Sequence, residues 1–367
     1  DGVDVTGRAL ASRQGRPAGL LFDDSVVVGP ADADGVCPIT AARAGVLVRH
    51  DKLVRISSQF DVPADVDFSV GNIDFPGDVR VAGGVRDRFV VKAEGSIEVR
   101  GLVEAATVAA GRDVRLIQGM AGREKGSLTT GRDCEAKYLE GLRVSVGRDA
   151  TVGREVTNSH VAIGRNLKAP NCSVIGGNLA VSGECELAQI GSEAGVATEV
   201  CLGKIPAVEA LLRRGLKALP VLEERVRAAR ERLEQLRRAS GRMTASQAEE
   251  LTELEFGMSE AQGKLKLLGE GLGLALAAAR THTQARLVVN RLLCPGVKVW
   301  MGRFLLEPRT EVRGPFELTL SPGGEVLVRN LPSGHAELAS TRFRVVHDTV
   351  YVDLAEVERS VHRATAA

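Results

Sequence analysis

The sequence predicts a mainly β protein, in which a right-handed parallel β-helix (a β-solenoid) carries an inserted antiparallel α-helical coiled-coil hairpin. Three observations predict this fold. A glycine followed by a polar residue recurs at a nearly constant spacing over residues 71–191, and β-branched residues fill the intervals. Two segments with heptad periodicity follow within residues 206–284, and a β pattern returns after them. Such periodicities are typical of stacked coils and of a coiled coil, respectively.

The glycine motifs define the repeat. They are G-S-I at Gly95, G-R-D at Gly111, Gly131 and Gly147, G-R-N at Gly164, G-G-N at Gly176 and a last glycine at Gly191. Successive steps are 16, 20, 16, 17, 12 and 15 residues. A repeat of about 17 residues is too short for a helix pair, and one such coil cannot bury its own apolar side. The coils must therefore stack into a rod.

Alternating residues of the strands predict the core of that rod, because every second side chain points into the coil. The predicted core residues are Val66, Phe68, Ile73, Phe75, Val79, Val81, Ile97, Val99, Val114, Val144, Val146, Val161 and Ile163. The Asp or Asn that follows each glycine is expected to accept backbone N–H bonds at a corner, so that stacked turns form a ladder. A calcium-binding β-roll is the alternative, but it needs a repeat of about nine residues.

Composition shifts predict five regions. They are a small β-rich N-terminal domain (1–60), the solenoid (61–205), the hairpin (206–284), returning strands that complete the solenoid (285–332) and a separate C-terminal tail (333–367) with two strands and a helix beginning near Leu354. The N-terminal domain and the tail are expected to cap the rod, since an open solenoid end exposes unpaired strand edges. Because the chain begins at Asp1 rather than Met, a preceding segment is conceivable.

The hairpin is predicted from apolar residues three or four positions apart. In the first arm they are Leu212, Leu216, Leu219, Leu222, Val226, Ala229, Leu233 and Leu236, and in the second Ala248, Leu251, Leu254, Met258, Ala261, Leu265, Leu268, Leu272, Ala275 and Ala279. Ser240 and Gly241 form a stop signal, and T-A-S-Q at 244–247 is a capping box. Pro220 is expected to bend or break the first arm.

Composition argues against several function classes. The chain has 48 Lys and Arg against 47 Asp and Glu, and aromatic residues make up 3% of its 367 residues. Such a balance gives no electrostatic reason to expect nucleic acid or an anionic membrane as partner, and stacking platforms for bases are scarce. The longest uncharged apolar run, 271–279, is too short to cross a bilayer. The six scattered cysteines are expected to be reduced and mostly buried.

The sequence predicts no catalytic, cofactor-binding or metal-binding motif. G-M-A-G-R-E-K-G-S at 119–127 lacks the order of a P-loop, so we interpret it as a solvated bulge of the 20-residue coil. An anion or partner contact through Arg123 and Lys125 is the alternative. The six histidines show no metal-ligand spacing. Glu135, Lys137, Tyr138 and Glu140 are the best candidates for an outer catalytic groove, as in β-solenoid lyases.

Arginines crowd the first arm of the hairpin. Interleaved glutamates neutralise many of them by pairs three or four residues apart, so a solvated face is one interpretation. Docking of a partner helix or an acidic protein is the other. The residues predicted to bind a partner are Arg227, Arg230, Arg237, Arg238 and Arg242.

The chain contains, in this order, the phrases D-V-D-F-S-V-G-N-I-D-F-P-G-D-V-R-V-A-G-G-V, F-V-V-K-A-E-G-S-I-E-V-R-G-L-V-E-A-A, G-R-D-C-E-A-K-Y-L-E-G, E-V-T-N-S-H-V, V-I-G-G-N and C-P-G-V-K-V-W-M-G. On these phrases it resembles the flagellar assembly protein A family, and the resemblance extends over about residues 1–331. It implies a β-solenoid with an inserted coiled coil, no established enzymatic activity, and a cytoplasmic role in flagellum assembly or cell-envelope organisation, with recruitment to a cell pole or the envelope.

The function predicted from these observations is a non-enzymatic bacterial scaffold or localisation protein that recruits protein partners through its rod and hairpin. No cofactor is expected, nor is nucleic acid or membrane insertion, and a homo-oligomer is compatible with the sequence. One alternative is a β-solenoid enzyme acting on polysaccharide or acyl groups. The other is a polymerising cytoskeletal element like the bactofilins, which are also built of β-solenoids.

Overall fold

The computed structural model describes residues 2–10, 19–33, 35–203, 206–238, 244–280, 285–321, 324–347 and 354–366. Within these residues, seven short strands precede the solenoid: β1 (Gly2–Val3), β2 (Ala9–Leu10), β3 (Leu21–Phe22), β4 (Val26–Val28), β5 (Ile39–Ala41), β6 (Val46–His50) and β7 (Leu53–Ser57). They pair in small two- and three-stranded sheets. Val26, Val54 and Ile56 are buried there, and Val46 packs against the core of the solenoid.

Fourteen strands follow in the first part of the solenoid. They are β8 (Gln59–Val62), β9 (Ile73–Phe75), β10 (Asp78–Val81), β11 (Val90–Ala93), β12 (Ile97–Val99), β13 (Leu102–Val103), β14 (Thr107–Ala110), β15 (Val114–Leu116), β16 (Gly119–Thr130), β17 (Cys134–Val146), β18 (Ala150–Ile163), β19 (Leu167–Val181), β20 (Glu184–Ile190) and β21 (Thr198–Leu202).

Parallel pairing between successive coils confirms the predicted β-solenoid. One column of inward residues runs Phe60, Val79, Ile97, Val114, Cys134, Ala150, Leu167 and Cys185. The steps from Val79 are 18, 17, 20, 16, 17 and 18 residues. Two further columns close each coil, so that three walls surround one continuous apolar core.

The register corrects the position of two glycine motifs. Ser96 lies opposite Asp78, and Ile97 lies opposite Val114, so Gly95 is aligned with Arg112 rather than with Gly111. The G-G-N motif at Gly176 lies within β19, where Asn178 pairs with His160 on another wall. This second offset explains why the sequence spacing falls to 12 residues while the coils themselves keep a length of 16 to 20.

The predicted core residues are buried, with one exception. Phe68 is 97% exposed and lies edge-on against Phe89, with their ring centroids 5.2 Å apart. The prediction failed here because the chain turns instead of extending. Asp67 accepts the N–H of Ser69 on its side chain and the N–H of Gly71 on its carbonyl, and this turn carries Phe68 out of the coil.

The chain leaves the solenoid after Leu202, and its helices are α1 (Pro206–Arg238), α2 (Ala245–Arg280) and, at the C-terminal end, α3 (Leu354–Ala366). α1 continues through Pro220, which lies exposed, so this proline does not end the helix. The capping box is confirmed, since Gln247 accepts the N–H of Thr244 and donates its own N–H to the Thr244 hydroxyl, at 3.0 and 3.4 Å. Ser240, Gly241 and Arg242 lie outside the described residues.

The strands that return are β22 (Arg286–Leu293), β23 (Val297–Met301), β24 (Phe304–Pro308), β25 (Val312–Arg313), β26 (Phe316–Leu320), β27 (Val326–Asn330), β28 (Ala336–Leu338) and β29 (Phe343–His347), with a 3₁₀ turn at Ala339–Thr341. β22 and β23 extend the parallel walls, with Leu287 opposite Cys185 and Val299 opposite Val200. The hairpin is therefore an insertion between two coils. The later strands pair antiparallel at this end of the rod.

The expected separation of the C-terminal tail was wrong. β28 pairs with β27, and β29 pairs with β24, so the tail completes the last sheet of the solenoid. α3 packs on the hairpin, where Val357 and Ala364 are buried against α1 and α2. The tail joins both cores because its Phe343 and its α3 supply apolar surface that each core lacks. The second strand expected in the tail falls on residues 350–352, outside the described part of the chain.

Candidate protein-binding surfaces

The acidic turns form the predicted ladder, and its role is structural. The side chain of Asp113 accepts the backbone N–H of Asp133. In the same way, the side chain of Asp133 accepts the N–H of Asp149, and the side chain of Asp149 accepts the N–H of Asn166, at 3.1 to 3.2 Å. The Oδ1 atom of Asn166 then accepts the N–H of Glu184 at 3.0 Å. Each side chain thus accepts a backbone N–H of the next coil at a turn, where no strand supplies a carbonyl acceptor.

The glycine and arginine of the G-R-D motif support the same ladder. A Cβ atom on Gly147 would lie 2.2 Å from the carbonyl oxygen of Gly131, so only glycine allows the coils to approach this closely. Arg112 pairs with Asp78 at 2.8 Å, and Arg165 lies 3.7 Å from Asp149. These guanidinium groups lie beside the stacked carboxylates and offset their mutual repulsion. The G-R-D motif therefore has a structural role in holding successive coils together.

The loop of the 20-residue coil is a bulge, as predicted. The register of β16 and β17 shifts between Ala121 and Gly126, and Arg123 and Glu124 adopt positive φ angles. Arg123 forms an ion pair with Asp87 at 3.0 Å. Arg123, one residue of the alternative anion contact, thus already has a carboxylate partner within the protein.

The proposed catalytic residues are divided between two walls. Glu135 lies on one wall and pairs with Arg115 at 3.1 Å. Tyr138 and Glu140 lie on another, where Tyr138 is opposite Glu155 in the next coil. Burial, followed by the charges of Glu140 and Glu155, raises the pKa of the Tyr138 hydroxyl. Glu135 is therefore not brought together with Tyr138 and Glu140.

Most cysteines are core residues. Cys134, Cys172, Cys185 and Cys294 are buried, whereas Cys37 is exposed. Burial raises the pKa of Cys134 and that of Cys172 to about 12, and it raises the pKa of Cys185 as well. Thiols with such pKa values are protonated and unreactive near neutral pH. Within the described residues, no group of three or more His, Cys, Asp or Glu side chains could hold a metal ion.

Outward residues of the wall that contains Glu135 alternate in charge from coil to coil, with one neutral residue, Thr151, between Glu135 and Lys168. The column runs Arg80, Glu98, Arg115, Glu135, Thr151, Lys168 and Glu186. Arg80 and Glu98 lie 3.3 Å apart. Alternation at the strand spacing of about 4.8 Å lets each charge pair with its neighbour, so this wall is largely self-neutralised.

A groove of about 860 Å³ opens on this wall where the chain returns from the hairpin. Its charged lining residues are Arg165, Lys168, Glu184, Glu186 and Arg286. This groove could not be predicted from the sequence, because Glu184 and Arg286 are separated by the whole hairpin and only the register brings them side by side. The sequence does show that the β pattern stops before residue 205 and resumes after residue 284, and this is the feature that indicates pairing across the hairpin.

The predicted seams of the hairpin hold α1 and α2 together. Leu212, Leu219, Val226, Leu265 and Leu272 are buried in a cluster that is separate from the core of the solenoid. The helices approach closely at Gly215, where a Cβ atom would lie 2.3 Å from Leu272. Ala248, the first residue of the predicted seam on α2, is exposed. The hairpin therefore has its own core, with α3 as a third helix on it.

The structure places four of the five predicted partner-binding arginines on the distal half of α1, all exposed. Arg237 pairs across the arms with Glu255 at 2.7 Å, and Arg238 pairs with Glu234 at 3.1 Å. Arg227 pairs with Glu224, and this hydrogen bond is the main reason that the pKa of Arg227 is raised. Arg230 has no ion pair among the described residues, and Arg242 lies outside them. Exposed pairs of this kind contribute little to stability, so a partner's carboxylate can replace them.

Comparison with known proteins identifies a family. The family model for the Flagellar Assembly Protein A beta solenoid domain matches residues 58–325, nearly three quarters of the chain. The matched region begins just before β8 and includes the inserted hairpin. No curated protein and no solved structure matches the chain. No helix in the described part of the chain is both long and apolar enough to span a membrane.

Proposed function

Since this chain belongs to the flagellar assembly protein A family, we propose that it is a non-enzymatic bacterial scaffold whose solenoid carries a helical arm that recruits other proteins. One observation supports this proposal above the others. The hairpin has a hydrophobic cluster of its own and is inserted between two coils that pair directly with each other. The outer surface of the hairpin is therefore not needed to complete the solenoid.

The charges of the arm suggest the kind of partner. The distal half of α1 carries arginines whose carboxylate partners are exposed neighbours on the same helix. A partner with a line of Asp or Glu side chains can exchange with these glutamates at little cost, since exposed pairs are weak. Arg230, with no ion pair among the described residues, is the natural first contact. We therefore propose an acidic protein surface or helix as the partner, bound along Arg227, Arg230, Arg237, Arg238 and Arg242.

The test is affinity capture from the lysate of a flagellated bacterium, quantified by mass spectrometry. The double variant Arg230→Glu and Arg238→Glu reverses two exposed charges of the arm. Its matched control, Arg100→Glu and Arg115→Glu, makes the same change in charge on the solenoid. We expect partners to be lost only from the arm variant. If both variants and the unchanged protein recover the same partners, binding belongs to the solenoid or to the N-terminal strands.

Deleting the arm gives a second test. Residues 206–280 are replaced by a short linker, and the chain is ended after His347. α3 has to be removed together with the hairpin, because Val357 and Ala364 would otherwise expose an apolar face. A fluorescent fusion of the same deletion tests the further proposal that the protein acts in the cytoplasm and is recruited to a cell pole or the envelope. A focus that persists without the arm would contradict a role of the arm in recruitment.

A further inference from the structure

α1 carries a second heptad pattern, outside the seam that packs on α2. Its members recur at steps of 3, 4, 3, 4 and 3 residues, and they are Leu211, Arg214, Ala218, Val221, Arg225 and Ala228. At about 100° per residue they lie within roughly 100° of one another. Their mean direction is roughly 130° around the helix from that of Leu212, Leu219 and Val226, which are buried. We call these six residues the outer seam of α1.

The outer seam is open to solvent. Leu211 and Val221 are 51% and 55% exposed, and Arg214, Arg225 and Ala228 are exposed as well. By the rise of a helix, the outer seam is about 25 Å long. An exposed heptad pattern of this length is typical of a helix that packs on a further helix.

The charge of the outer seam is not neutralised by neighbouring carboxylates. Within the described part of the chain, Arg214 and Arg225 form no ion pair, and neither does Lys217, which is exposed beside the seam. Glu224 is the acidic residue of α1 nearest to the seam, but it lies roughly 90° around the helix and pairs with Arg227. Most of the arginines proposed above on the distal half of α1 already have carboxylate partners. A partner at the outer seam therefore has no existing ion pair to break.

The order of side chains along the outer seam determines what fits it. Arg214 and Arg225 lie in the seam itself, about 16 Å apart by the rise of a helix. A helix bound there must bring a carboxylate opposite each of them, because a desolvated charge needs a partner. Between them, the small Ala218 leaves room for a large apolar side chain beside Val221. The matching helix thus has two Asp or Glu residues 11 positions apart, as the two arginines are, with large apolar residues between them.

A second copy of α1 does not fit the outer seam. In a parallel pair, Arg214 of one copy faces Arg214 of the other. In an antiparallel pair centred between Ala218 and Val221, Arg214 faces Arg225. Both arrangements place like charges together. An anionic membrane also fits poorly, because helices that bind a membrane surface present a continuous apolar face, and here two arginines interrupt it.

We propose that the outer seam of α1 is the docking site for an acidic amphipathic helix of another protein. This inference rests on the proposed function and deepens it, since it makes the partner a helix and places its anchor on the proximal half of α1. Apolar contact and uncompensated positive charge coincide there. Interface residues that dominate affinity are commonly of these two kinds, buried apolar side chains and arginines.

A designed peptide is the probe. It is four heptads long, with leucine in its seam except for two glutamates 11 positions apart, and with glutamate on both flanks, so that it does not pair with itself. The peptide carries fluorescein and is titrated with the full chain, and anisotropy gives the dissociation constant. We expect it to bind at least about tenfold more tightly than a control peptide with lysine in place of every glutamate. Equal binding of the two peptides, or none at about 100 μM chain, would overturn the proposal.

Leu211→Ser tests the apolar part of the contact. It should raise the dissociation constant of the acidic peptide by about tenfold, because it removes an apolar anchor. Leu267→Ser is the matched control, since Leu267 is also an exposed leucine of the hairpin, but on α2. Circular dichroism should show the same helix content for both variants. Equal loss of affinity in the two would mean that the peptide binds elsewhere, and the proposal would be wrong.

The double variant Arg214→Glu and Arg225→Glu tests the charges. It should raise the dissociation constant of the acidic peptide by about tenfold or more, and it should favour the lysine peptide instead. The solenoid variant of the capture experiment is its control and should bind as the unchanged protein does. Vesicles of phosphatidylglycerol and phosphatidylcholine in equal parts provide the other comparison. If the vesicles rather than the peptide are bound through these two arginines, the outer seam is a membrane contact and the proposal fails.

The capture experiment separates this inference from the proposed function. If partners are lost from the Arg230→Glu and Arg238→Glu variant but kept by the Arg214→Glu and Arg225→Glu variant, the proposed function stands and the anchor at the outer seam is wrong. If both variants keep the partners of the unchanged protein, the two proposals fail together. A dimer of the chain that dissociates on Leu211→Ser, measured by sedimentation equilibrium, would assign the outer seam to a second copy and would also overturn the inference.

Discussion

Arg286 and Glu317 join the returning chain to the end of the solenoid, with Nη2 of the arginine 2.7 Å from Oε2 of the glutamate. Glu317 has only 5% of its side chain exposed, and its other oxygen lies 3.2 Å from Arg329. The hydrogen bond to Glu317 is the main reason that the pKa of Arg286 is raised. One carboxylate thus bridges β22, β26 and β27 where the parallel coils end and the antiparallel strands begin.

Glu317→Gln should lower the free energy of unfolding by about 1 to 3 kcal/mol, because it removes hydrogen bonds between charged groups at a buried site. Urea unfolding measures the change. Glu135→Gln is the control, since its pair with Arg115 is more than half exposed on both sides and should contribute less than about 1 kcal/mol. Equal effects would mean that burial of Glu317 has no energetic consequence.

Asp149→Ala should destabilise the solenoid by about 1 to 3 kcal/mol, because the N–H of Asn166 loses its acceptor. Asp149→Asn keeps that oxygen, as Asn166 itself does in the next coil, and should cost less. Chemical denaturation of the two variants compares them. If the alanine and asparagine variants were equally stable, the hydrogen bond from the N–H of Asn166 would not stabilise the solenoid.

Val144→Asp and Ser145→Asp place the same charge on opposite sides of one strand. Val144 is buried in the core, whereas Ser145 is exposed on the wall. Val144→Asp should lower the free energy of unfolding by at least about 4 kcal/mol, whereas Ser145→Asp should change it by about 0.5 kcal/mol or less. Soluble yield and thermal unfolding give the comparison. A well-folded Val144→Asp protein would contradict the assigned register.

Stability should fall between about pH 9 and pH 12. Burial raises the pKa of Cys134 from 9.0 to about 12 in the folded protein. The folded state therefore keeps this proton while the unfolded chain loses it. As the pH rises through that window, the unfolded state is stabilised relative to the folded state, and the free energy of unfolding falls. Cys134→Ala should show a shallower decline of the free energy of unfolding with pH. Identical slopes for the two proteins would exclude a contribution of this thiol.

Val357→Asp should disrupt the packing of α3 on the hairpin without unfolding the solenoid, because the helical cluster and the solenoid core are separate. We expect faster proteolysis within the hairpin and a lower helical signal in circular dichroism. The β-rich remainder should keep its unfolding transition. A single transition in which both parts are lost together would show that the two cores are coupled.

The solenoid and the hairpin could be predicted because both depend on short periods in the sequence. Val79, Ile97 and Val114 follow the coil length, and Leu212, Leu219 and Val226 follow the heptad. Phe68 was predicted wrongly, since its position depends on a local turn held by Asp67 rather than on alternation. No period in the sequence distinguishes a residue that extends a strand from one that follows a turn.

Contacts across the insertion could not be predicted in the same way. Arg286 and Glu184 are neighbours because β22 pairs with β20, and the register of that pairing is set by the whole stack of coils beneath it. The pairing of β29 with β24 likewise depends on which strand edge remains free after the antiparallel turn. The ion pair between Arg237 on α1 and Glu255 on α2 could not be predicted either, because it depends on how far the two helices are shifted along each other.

The packing of α3 on the hairpin makes the arm depend on a distant part of the sequence. Val357 and Ala364 of α3 are buried with residues of α1 and α2, while β29 pairs with β24 of the solenoid. The apolar cluster of the arm is therefore complete only when the last helix of the chain has been synthesised, long after α1 and α2 themselves.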